Sequence, residues 1–577
     1  MIRALARRRP RTALVTALAV LGATSLAACT AGPGPRDDRP RTPAAADPAN
    51  RPELRRFYGQ KLDWRPCGAF RCAALTVPMD YARPGDGRTF VLPVAKAATA
   101  SPDRLIGSLL YNPGGPGERG VRALKDGLAD ELGRGVRERF DVVAFDPRGV
   151  GESRPALTCR SRDTVDTPDM PDTPDTAAPT AAGAPLHPRT AEERAAVLAD
   201  ARATAEACRE ASGPLLRHVG TDDAARDLDV LRAALGERRL TYVGWSYGTS
   251  LGTSYAEQFP HRVRAMVLDG AVDPALDWRQ RALSQAKGFR DAVADYARSC
   301  ADTVGERCPG ATPEEIRALI DRLLERAQRK PLPVDGSGVG LDAAGVVSAL
   351  SLSMYTPEAQ WEELSEALRA ADAGDGTRLA ALGTEDGEDT EDTEGPEGDD
   401  GTPEDAQDTE HTEDTGDSED SGDSEDSGDE DAGEGDGVPE DNSEAALIAV
   451  NCLDVPHPRD ERAYWDALDP AERAAGVYGT TGVTGELVCE DWPAGPGRPH
   501  RVAAPGVPPV LVVGTAGDPA TPYGEAVSLA RQFPGGMLLS FEGAGHTGYG
   551  RNACVDRKVE AYLVDLAPVG PGTRCAA

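Results

Sequence analysis

Short apolar runs alternate with helical patterns along two parts of the chain. Each run is bounded by turn residues and is too short for a buried helix, so each predicts a buried strand. Between the runs, apolar residues recur at helical spacing, as in residues 222–235. Strands that alternate with helices predict a parallel sheet covered on both faces, which is an α/β fold. The runs are residues 106–111, 140–145, 240–244, 265–269 and 510–514.

The strand pattern stops between residues 274 and 498. Helical spacing replaces it there, most clearly in residues 313–329 and 357–371. This change predicts a helical domain that is inserted into the α/β domain. The two parts of the α/β domain are then residues 52–273 and 499–577.

An acidic tract lies inside this helical region. Residues 384–444 hold 30 Asp and Glu residues and have no Lys or Arg, whereas the rest of the chain has 66 acidic against 62 basic residues. Because the tract has few apolar side chains to bury, we expect it to be disordered. A solvated spacer is favoured over a calcium site. The near-neutral remainder has no basic stripe, which argues against nucleic-acid binding.

The N-terminus has the pattern of an export signal. Several arginines precede an uncharged apolar run that is too short for a confident membrane span, so residues 1–28 are predicted to be a signal peptide. The run ends in Leu-Ala-Ala-Cys, which resembles the lipobox of bacterial lipoproteins and predicts a lipid on Cys29; an ordinary cleavage site is the alternative. Residues 29–51, rich in Pro, Ala and Asp, are expected to be a flexible tether. The protein is therefore expected to be exported, and either lipid-anchored on the outer face of the bacterial cytoplasmic membrane or secreted.

Ten of the 11 cysteines remain when Cys29 is set aside. An even number in an exported chain favours disulfides. The cysteines have no C-x-x-C spacing and no histidine in a zinc-like arrangement, so no structural metal is expected. We expect pairing between neighbours in the sequence, most firmly for Cys67 with Cys72 and for Cys300 with Cys308.

The strongest chemical signal is the sequence Gly-Trp-Ser-Tyr-Gly at residues 244–248. It follows a predicted strand directly and precedes a helical segment, residues 249–258. A G-x-S-x-G sequence at a strand-to-helix turn is typical of the nucleophile elbow, so Ser246 is the predicted nucleophile. The amide of Tyr247 and the positive end of the helix would face the developing oxyanion.

A serine hydroxyl needs a base to take its proton, and the base needs an acid to orient it. Of the seven histidines, His546 alone lies on a glycine-rich loop after a late apolar strand, residues 537–541, and is the predicted base. The acid should lie between the serine and the histidine in the sequence. Asp518, on a turn-rich loop after a predicted strand, is the predicted acid, and Asp269 is its rival.

A second oxyanion donor is expected from residues 112–117, Asn-Pro-Gly-Gly-Pro-Gly, which follow a predicted strand. Glycine lets a bare N–H approach the substrate carbonyl, and Pro116 has no N–H, so Gly115 is the predicted donor and Gly114 the reserve. A phosphate-binding loop is disfavoured because neither G-K-[ST] nor G-x-G-x-x-G with an acidic partner is present. No cofactor is expected.

Five motifs occur in order along the chain: residues 112–117, 146–153 (Asp-Pro-Arg-Gly-Val-Gly-Glu-Ser), 244–248, 517–522 (Gly-Asp-Pro-Ala-Thr-Pro) and 545–546 (Gly-His). Together they resemble one known family, over the chain from about Arg55 to the C-terminus. The family comprises secreted tripeptidyl aminopeptidases and related prolyl aminopeptidase-like serine exopeptidases of the α/β-hydrolase superfamily. The acidic tract interrupts the resemblance.

The resemblance implies an α/β-hydrolase fold with a helical cap inserted after the sixth strand of that fold. It also implies that peptides with a free N-terminus are the substrates, and that short peptides or single residues are released. Carboxylates on the cap would bind the substrate ammonium, although each candidate also fits a solvated helix face. The candidates are Glu490 and Glu362 first, with Glu358, Glu363 and Asp491.

Two other functions remain open from the sequence. A cell-surface esterase or amide hydrolase would use the same nucleophile and oxyanion hole. A non-catalytic lipoprotein that binds peptides is the second alternative. The presence of Ser246, Asp518 and His546 together favours an enzyme over it.

Overall fold

The computed structural model describes residues 48–159, 185–336, 339–383, 441–493 and 495–577. The predicted signal peptide, Cys29 and nearly all of the tether lie outside the described residues. The same holds for the predicted acidic tract, except for its last four residues. Pro48–Asn50 form one 3-10 turn and group with the N-terminal unit. The following description concerns the second unit, Arg51–Ala577.

The centre of this unit is a ten-stranded sheet with the order β1-β2-β3-β5-β4-β6-β7-β8-β9-β10. The pairs β1–β2, β2–β3 and β3–β5 are antiparallel, and all the other pairs are parallel. The strands are β1 Arg65–Cys67, β2 Phe70–Pro78, β3 Thr89–Ala97, β4 Gly107–Asn112, β5 Phe140–Phe145, β6 Leu240–Trp245, β7 Val263–Asp269, β8 Leu511–Gly517, β9 Met537–Ala544 and β10 Arg574–Cys575.

The predicted α/β fold is confirmed, and every predicted strand is present within a few residues of its expected bounds. Strands β1 to β3 and β10 were not predicted. The first five residues of β2 are exposed or only half-buried, and β10 has only two residues, so neither is the fully buried strand that a central apolar run predicts.

Helices cover both faces of the sheet. Successive residues of a strand point to opposite sides, so the apolar side chains of a central strand need a helix layer on each face. On β6, Tyr242 packs into a core with helices α6, α7 and α16, and Val243 packs into the opposite core with α17. The helices are α1 Arg55–Tyr58, α2 Gly120–Ala123, α3 Ala129–Glu131, α4 Arg134–Arg137, α5 Ala191–Ser212, α6 Thr221–Ala234, α7 Tyr247–Gln258, α8 Trp278–Thr303, α9 Pro313–Arg329, α10 Ala343–Leu352, α11 Pro357–Ala373, α12 Thr377–Ala381, α13 Ser443–Asp454, α14 Arg462–Ala475, α15 Val477–Gly485, α16 Tyr523–Gln532 and α17 Ala553–Asp565.

Helices α8 to α15 lie between β7 and β8, and we call this inserted segment the cap. Its helix α13 packs into the same core as Tyr242 of β6. Helices α8 to α12 and α15 share a core of their own, which contains Tyr296, Leu323, Leu350 and Leu364. Helix α5 joins the cap from outside the predicted insertion, because its Leu198 packs in one cluster with residues of α14 and α15. Two segments of the chain, rather than one, therefore build the cap.

The last four residues of the predicted acidic tract belong to the folded unit. Asn442 is buried, and its amide group donates to the carbonyls of Gly149 and Leu157, both at 2.9 Å. Its side-chain oxygen accepts from the amide of Gly151 at 2.8 Å. Helix α13 begins at the next residue, Ser443. The prediction of disorder is wrong for residues 441–444, because Asn442 supplies hydrogen bonds to three backbone groups.

The described residues contain five disulfides, each between cysteines that are neighbours in the sequence. This confirms the predicted pairing. The disulfides join Cys67 to Cys72, Cys159 to Cys208, Cys300 to Cys308, Cys452 to Cys489 and Cys554 to Cys575.

None of the helices in the described ranges is both long and apolar enough to cross a membrane.

Candidate active site

Ser246 occupies the turn between β6 and α7. Its backbone has φ 52° and ψ −121°, a strained conformation for a residue with a Cβ. Because Ser246 is the N-cap of α7, the amide dipoles of that helix converge on it. Tyr247 is the first residue of α7, and its buried hydroxyl lies 2.7 Å from that of Thr221. The turn therefore has the geometry of a nucleophile elbow, and the side chain of the residue after the serine is held by a hydrogen bond.

Asp518 and His546 are paired across two loops. The Nδ1 atom of His546 lies 2.9 Å from Oδ1 and 3.0 Å from Oδ2 of Asp518. The same carboxylate accepts from the amides of Ala520 at 3.0 Å and Thr521 at 2.8 Å, and from the Thr521 hydroxyl at 3.1 Å. These bonds fix the carboxylate, which in turn fixes the ring.

The environment of His546 favours its protonated form. Burial lowers the pKa of His546, but the charge and hydrogen bond of Asp518 outweigh burial and raise that pKa above its ordinary value. The other ring nitrogen, Nε2, is buried and has no hydrogen-bond partner among the described residues. In a Ser-His-Asp triad, this nitrogen takes the proton of the serine.

The strand β7 brings Ser246 and His546 to the same place. The amide of Ser246 donates to the carbonyl of Asp269 at 2.9 Å. A Cβ placed on the next residue, Gly270, would lie only 2.9 Å from Cε1 of His546. The serine and the imidazole therefore flank the same two residues at the end of β7.

Asp269, the rival acid, has a different set of contacts. Its carboxylate accepts from the amides of Gly548, at 3.0 Å, and Tyr549, at 2.7 Å. Burial raises the pKa of Asp269 to about 6, and the hydrogen bonds from Tyr549 and Gly548 oppose this rise. Asp269 thus holds the loop that follows His546, whereas Asp518 holds the ring itself.

The loop formed by residues 112–117 lies against the elbow. A Cβ on Gly114 would lie 2.9 Å from the Cβ of Ser246 and 3.5 Å from the nitrogen of Tyr247. Because the nitrogen of Gly115 is bonded to the carbonyl carbon of Gly114, it lies next to this contact. The geometry is compatible with the predicted donors, the amides of Tyr247 and Gly115.

The cap also contacts the imidazole, which the sequence did not predict. The amide of His546 donates to the carbonyl of Tyr355 at 2.9 Å, and the two rings meet edge-on with centroids 5.1 Å apart. Phe289 follows at 6.1 Å from the Tyr355 ring, and Tyr478 stacks on Phe289. An aromatic wall from three parts of the cap therefore begins at His546.

The two carboxylates first expected to bind a substrate ammonium both have arginine partners. Glu490 is buried and receives two hydrogen bonds of 2.9 Å from Arg202. Glu362 is ion-paired with Arg307. A substrate ammonium at either position would have to displace a guanidinium, so the geometry does not favour these two residues for that role.

Two clusters of metal-ligating residue types occur among the described residues. In one, Nδ1 of His187 lies 2.8 Å from Glu472 and Nε2 lies 3.6 Å from Asp469, so the two carboxylates face different sides of the ring. The other contains His457 and Cys489, but Cys489 is in a disulfide. The disulfide removes Cys489 as a thiolate ligand, and in the first cluster both carboxylates already pair with the ring nitrogens of His187.

Comparison with known proteins supplies the context for this geometry. A model of the α/β hydrolase fold matches residues 107–333, and a model described as TAP-like protein matches residues 475–575. The serine protease Hip1 of Mycobacterium tuberculosis is 36% identical over 542 residues, which are 90% of this chain and 91% of Hip1. Carboxylesterase B of the same species is 33% identical and covers 99% of each chain. A tripeptidyl aminopeptidase of Streptomyces lividans is 32% identical, covering 87% of this chain and 84% of its own.

Proposed function

Since this chain belongs to the tripeptidyl aminopeptidase-like family of α/β-hydrolases and is a serine hydrolase, we propose that it is an exopeptidase acting on free N-termini. It would release short peptides or single residues. One observation carries the catalytic part of this proposal. Asp518 holds the ring of His546 through Nδ1 and leaves Nε2 without a partner, and this ring contacts Gly270, next to the residue that accepts from the amide of Ser246.

The reaction would proceed in two halves. Ser246 Oγ attacks the scissile carbonyl while Nε2 of His546 takes the hydroxyl proton, and Asp518 stabilises the resulting imidazolium. The amides of Tyr247 and Gly115 bind the oxyanion. When the C–N bond breaks, His546 gives its proton to the leaving amine, and an ester with Ser246 remains.

Water then hydrolyses this ester. His546 takes a proton from the water, the hydroxide attacks the ester carbonyl, and the proton returns to Ser246 as the acid product leaves. Every proton and every developing charge in this sequence is handled by a side chain or a backbone amide, so the proposal includes no cofactor.

The substrates would be peptides with a free amine, outside the cytoplasm. Export and a lipid on Cys29 are part of the proposal. The five disulfides support an oxidising compartment, because such bonds persist mainly in exported proteins.

A carboxylesterase is the second candidate. The relative described as Carboxylesterase B aligns with this chain over 99% of both lengths. The same nucleophile attacks esters and amides, and the same donors stabilise the oxyanion that forms from either substrate. The triad geometry is therefore common to both candidates.

The test is a digest of matched peptides with free and acetylated N-termini, with products read by mass spectrometry. The Ser246→Ala variant provides the blank. Cleavage of only the free peptides establishes an aminopeptidase, and the product masses give the number of residues released. Hydrolysis of simple esters without cleavage of either peptide would instead establish the carboxylesterase.

A further inference from the structure

We infer that Arg551 is a positioning residue for His546, and that it fastens the loop of this histidine to the cap through Glu358. The inference rests on the proposed role of His546 as the base. It concerns neither a residue of the triad nor an oxyanion donor.

The guanidinium of Arg551 spans the loop on both sides of the histidine. Nη1 donates to the carbonyl of His546 at 3.2 Å and to that of Thr547 at 3.0 Å. Nη2 donates to the carbonyl of Ala544 at 2.8 Å. One rigid planar group therefore holds three carbonyls, of which one precedes the histidine, one belongs to it and one follows it.

The same guanidinium reaches the cap. Nη2 lies 2.9 and 2.8 Å from the two carboxylate oxygens of Glu358, in the first turn of α11. The arginine side chain is 16% exposed, whereas the glutamate side chain is 69% exposed. An exposed ion pair adds little stability by itself. Its consequence here is geometric, because it ties a buried loop to a cap helix.

Gly545 shows how closely the loop, the arginine and the cap fit together. Its φ is +91°, and a Cβ at this position would lie 2.6 Å from Nη1 of Arg551 and 2.6 Å from Cδ of Pro357. Any side chain before His546 would push away either the guanidinium or the start of α11. The residue before the base therefore leaves room for this clamp.

A second bond from the same turn of the cap completes the clamp. The amide of His546 donates to the carbonyl of Tyr355 at 2.9 Å, three residues before Glu358 in the sequence. The cap thus holds the backbone of the histidine at its amide directly and at its carbonyl through Arg551. A shift of this turn would move both ends of the residue that carries the imidazole.

Arginine and lysine differ in such a position. The guanidinium has five N–H donors in a fixed plane, whereas an ammonium is a point charge on a flexible stem. Lysine would keep the charge and lose the simultaneous contacts. Three charged groups act on the imidazole: Asp518 and Asp269 favour its protonated form, and Arg551 disfavours it.

The experiment compares Arg551→Lys, Arg551→Met and Glu358→Gln in the full-length protein. Arg574→Met is the matched control, because Arg574 pairs with an exposed glutamate, Glu542, at 2.7 Å on neighbouring strands. For each variant, kcat, KM, the pH profile of kcat/KM and the Tm are measured with the peptide substrate.

We expect both Arg551 variants to lose kcat, by about 10- to 100-fold, with little change in KM, because a misplaced base impairs the chemical step. The acid limb of the profile should move to higher pH in Arg551→Met and stay in place in Arg551→Lys, which keeps the charge. Glu358→Gln should lose less kcat and keep its Tm. The control should match the wild type.

The inference would be overturned if Arg551→Met had the kcat of the wild type. It would also be overturned if the control Arg574→Met lost as much kcat as Arg551→Met. If Arg551→Met does not fold, Glu358→Gln decides: a lower kcat at unchanged Tm supports the link to the cap, and an unchanged kcat overturns it. His546→Ala separates this inference from the proposed function. If His546→Ala keeps its activity, the proposed role of His546 is wrong. If His546→Ala is inactive but the Arg551 and Glu358 variants have the kcat of the wild type, only the inference about Arg551 is wrong.

Discussion

Both carboxylate oxygens of Asp518 lie within hydrogen-bonding distance of Nδ1 of His546, at 2.9 and 3.0 Å. This contact selects the tautomer with the proton on Nδ1 and leaves Nε2 as the acceptor. The amides of Ala520 and Thr521 hold the carboxylate in place from the other side. The orientation of Nε2 of His546 is thus set both by the contact with Asp518 and by the backbone amides that hold Asp518.

We expect Asp518→Asn to lower kcat by about 10⁴-fold, because an amide NH₂ facing Nδ1 would favour the wrong tautomer. Asp269→Asn should be milder. Oδ2 of Asp269 accepts from both loop amides, so the oxygen of asparagine can keep both bonds, and only the longer bond of 3.2 Å from Gly548 to Oδ1 is lost. Steady-state kinetics with the same peptide would rank the two variants.

The ranking of these two variants identifies the acid. A larger loss in Asp269→Asn than in Asp518→Asn would show that the rival is the acid. Equal melting temperatures would show that neither effect comes from unfolding.

Ser246→Ala should lower kcat by about 10⁴- to 10⁶-fold, as expected when the nucleophile of a triad is lost. The Tm should remain close to that of the wild type, since alanine fits the same strained backbone no worse than serine. A fluorophosphonate probe should label the wild type and leave the variant unlabelled. Labelling of the variant at another serine would contradict the assignment.

The sequence was sufficient for the parts of the site that depend on local pattern. The elbow at Ser246 and the loop of His546 each follow an apolar strand, and their order in the chain restricts the choice of acid. Tyr355 and Arg551 could not be predicted in this way. Their roles come from contacts between a cap turn and a distant loop, and nothing in their local sequence distinguishes them from surface residues.

The expected ammonium ligands show the same limit from the other direction. A sequence displays the charge of Glu490, but it does not display the partner of that charge, Arg202, which lies 288 residues away. The participation of α5 in the cap was missed for the same reason. Amphipathic spacing predicts that a helix has a buried face, and it does not specify which neighbour covers that face.

The pH dependence of kcat/KM should have an acid limb above the ordinary pKa of histidine. His546 must be neutral to act as a base, and Asp518 raises its pKa, so activity falls as the pH drops through that raised value. Burial raises the pKa of Asp269 to about 6, so this group binds a proton at lower pH and loses acceptor capacity for the loop amides.

Two protonations should therefore make the acid limb of the wild type steeper than that of a single ionisation below about pH 6. Asp269→Asn removes one of them and should give a slope near one. A slope of one in both proteins would show that Asp269 does not titrate with the active site.

The junction between the acidic tract and the cap provides the last prediction. Replacing residues 384–440 by a Gly/Ser linker of equal length should leave the Tm nearly unchanged, because this highly charged composition offers little apolar surface to bury. Asn442→Ala, two residues beyond the replaced segment, should lower the Tm by several degrees. It would leave two carbonyls and one amide without their partner, at about 1–3 kcal/mol for each buried group.

Asn442→Ala should also lower kcat, because the residue after Asn442 contacts the predicted oxyanion loop. A Cβ on Gly117 of that loop would lie only 2.4 Å from the carbonyl of Ser443. The start of α13 therefore packs on that loop, and loosening Asn442 loosens the contact. Melting curves and kinetics of the linker variant and of Asn442→Ala check both effects. A large fall in Tm in the linker variant would show that the tract contributes to the stability of the fold. An unchanged Tm in Asn442→Ala would show that the three hydrogen bonds of Asn442 do not contribute to that stability.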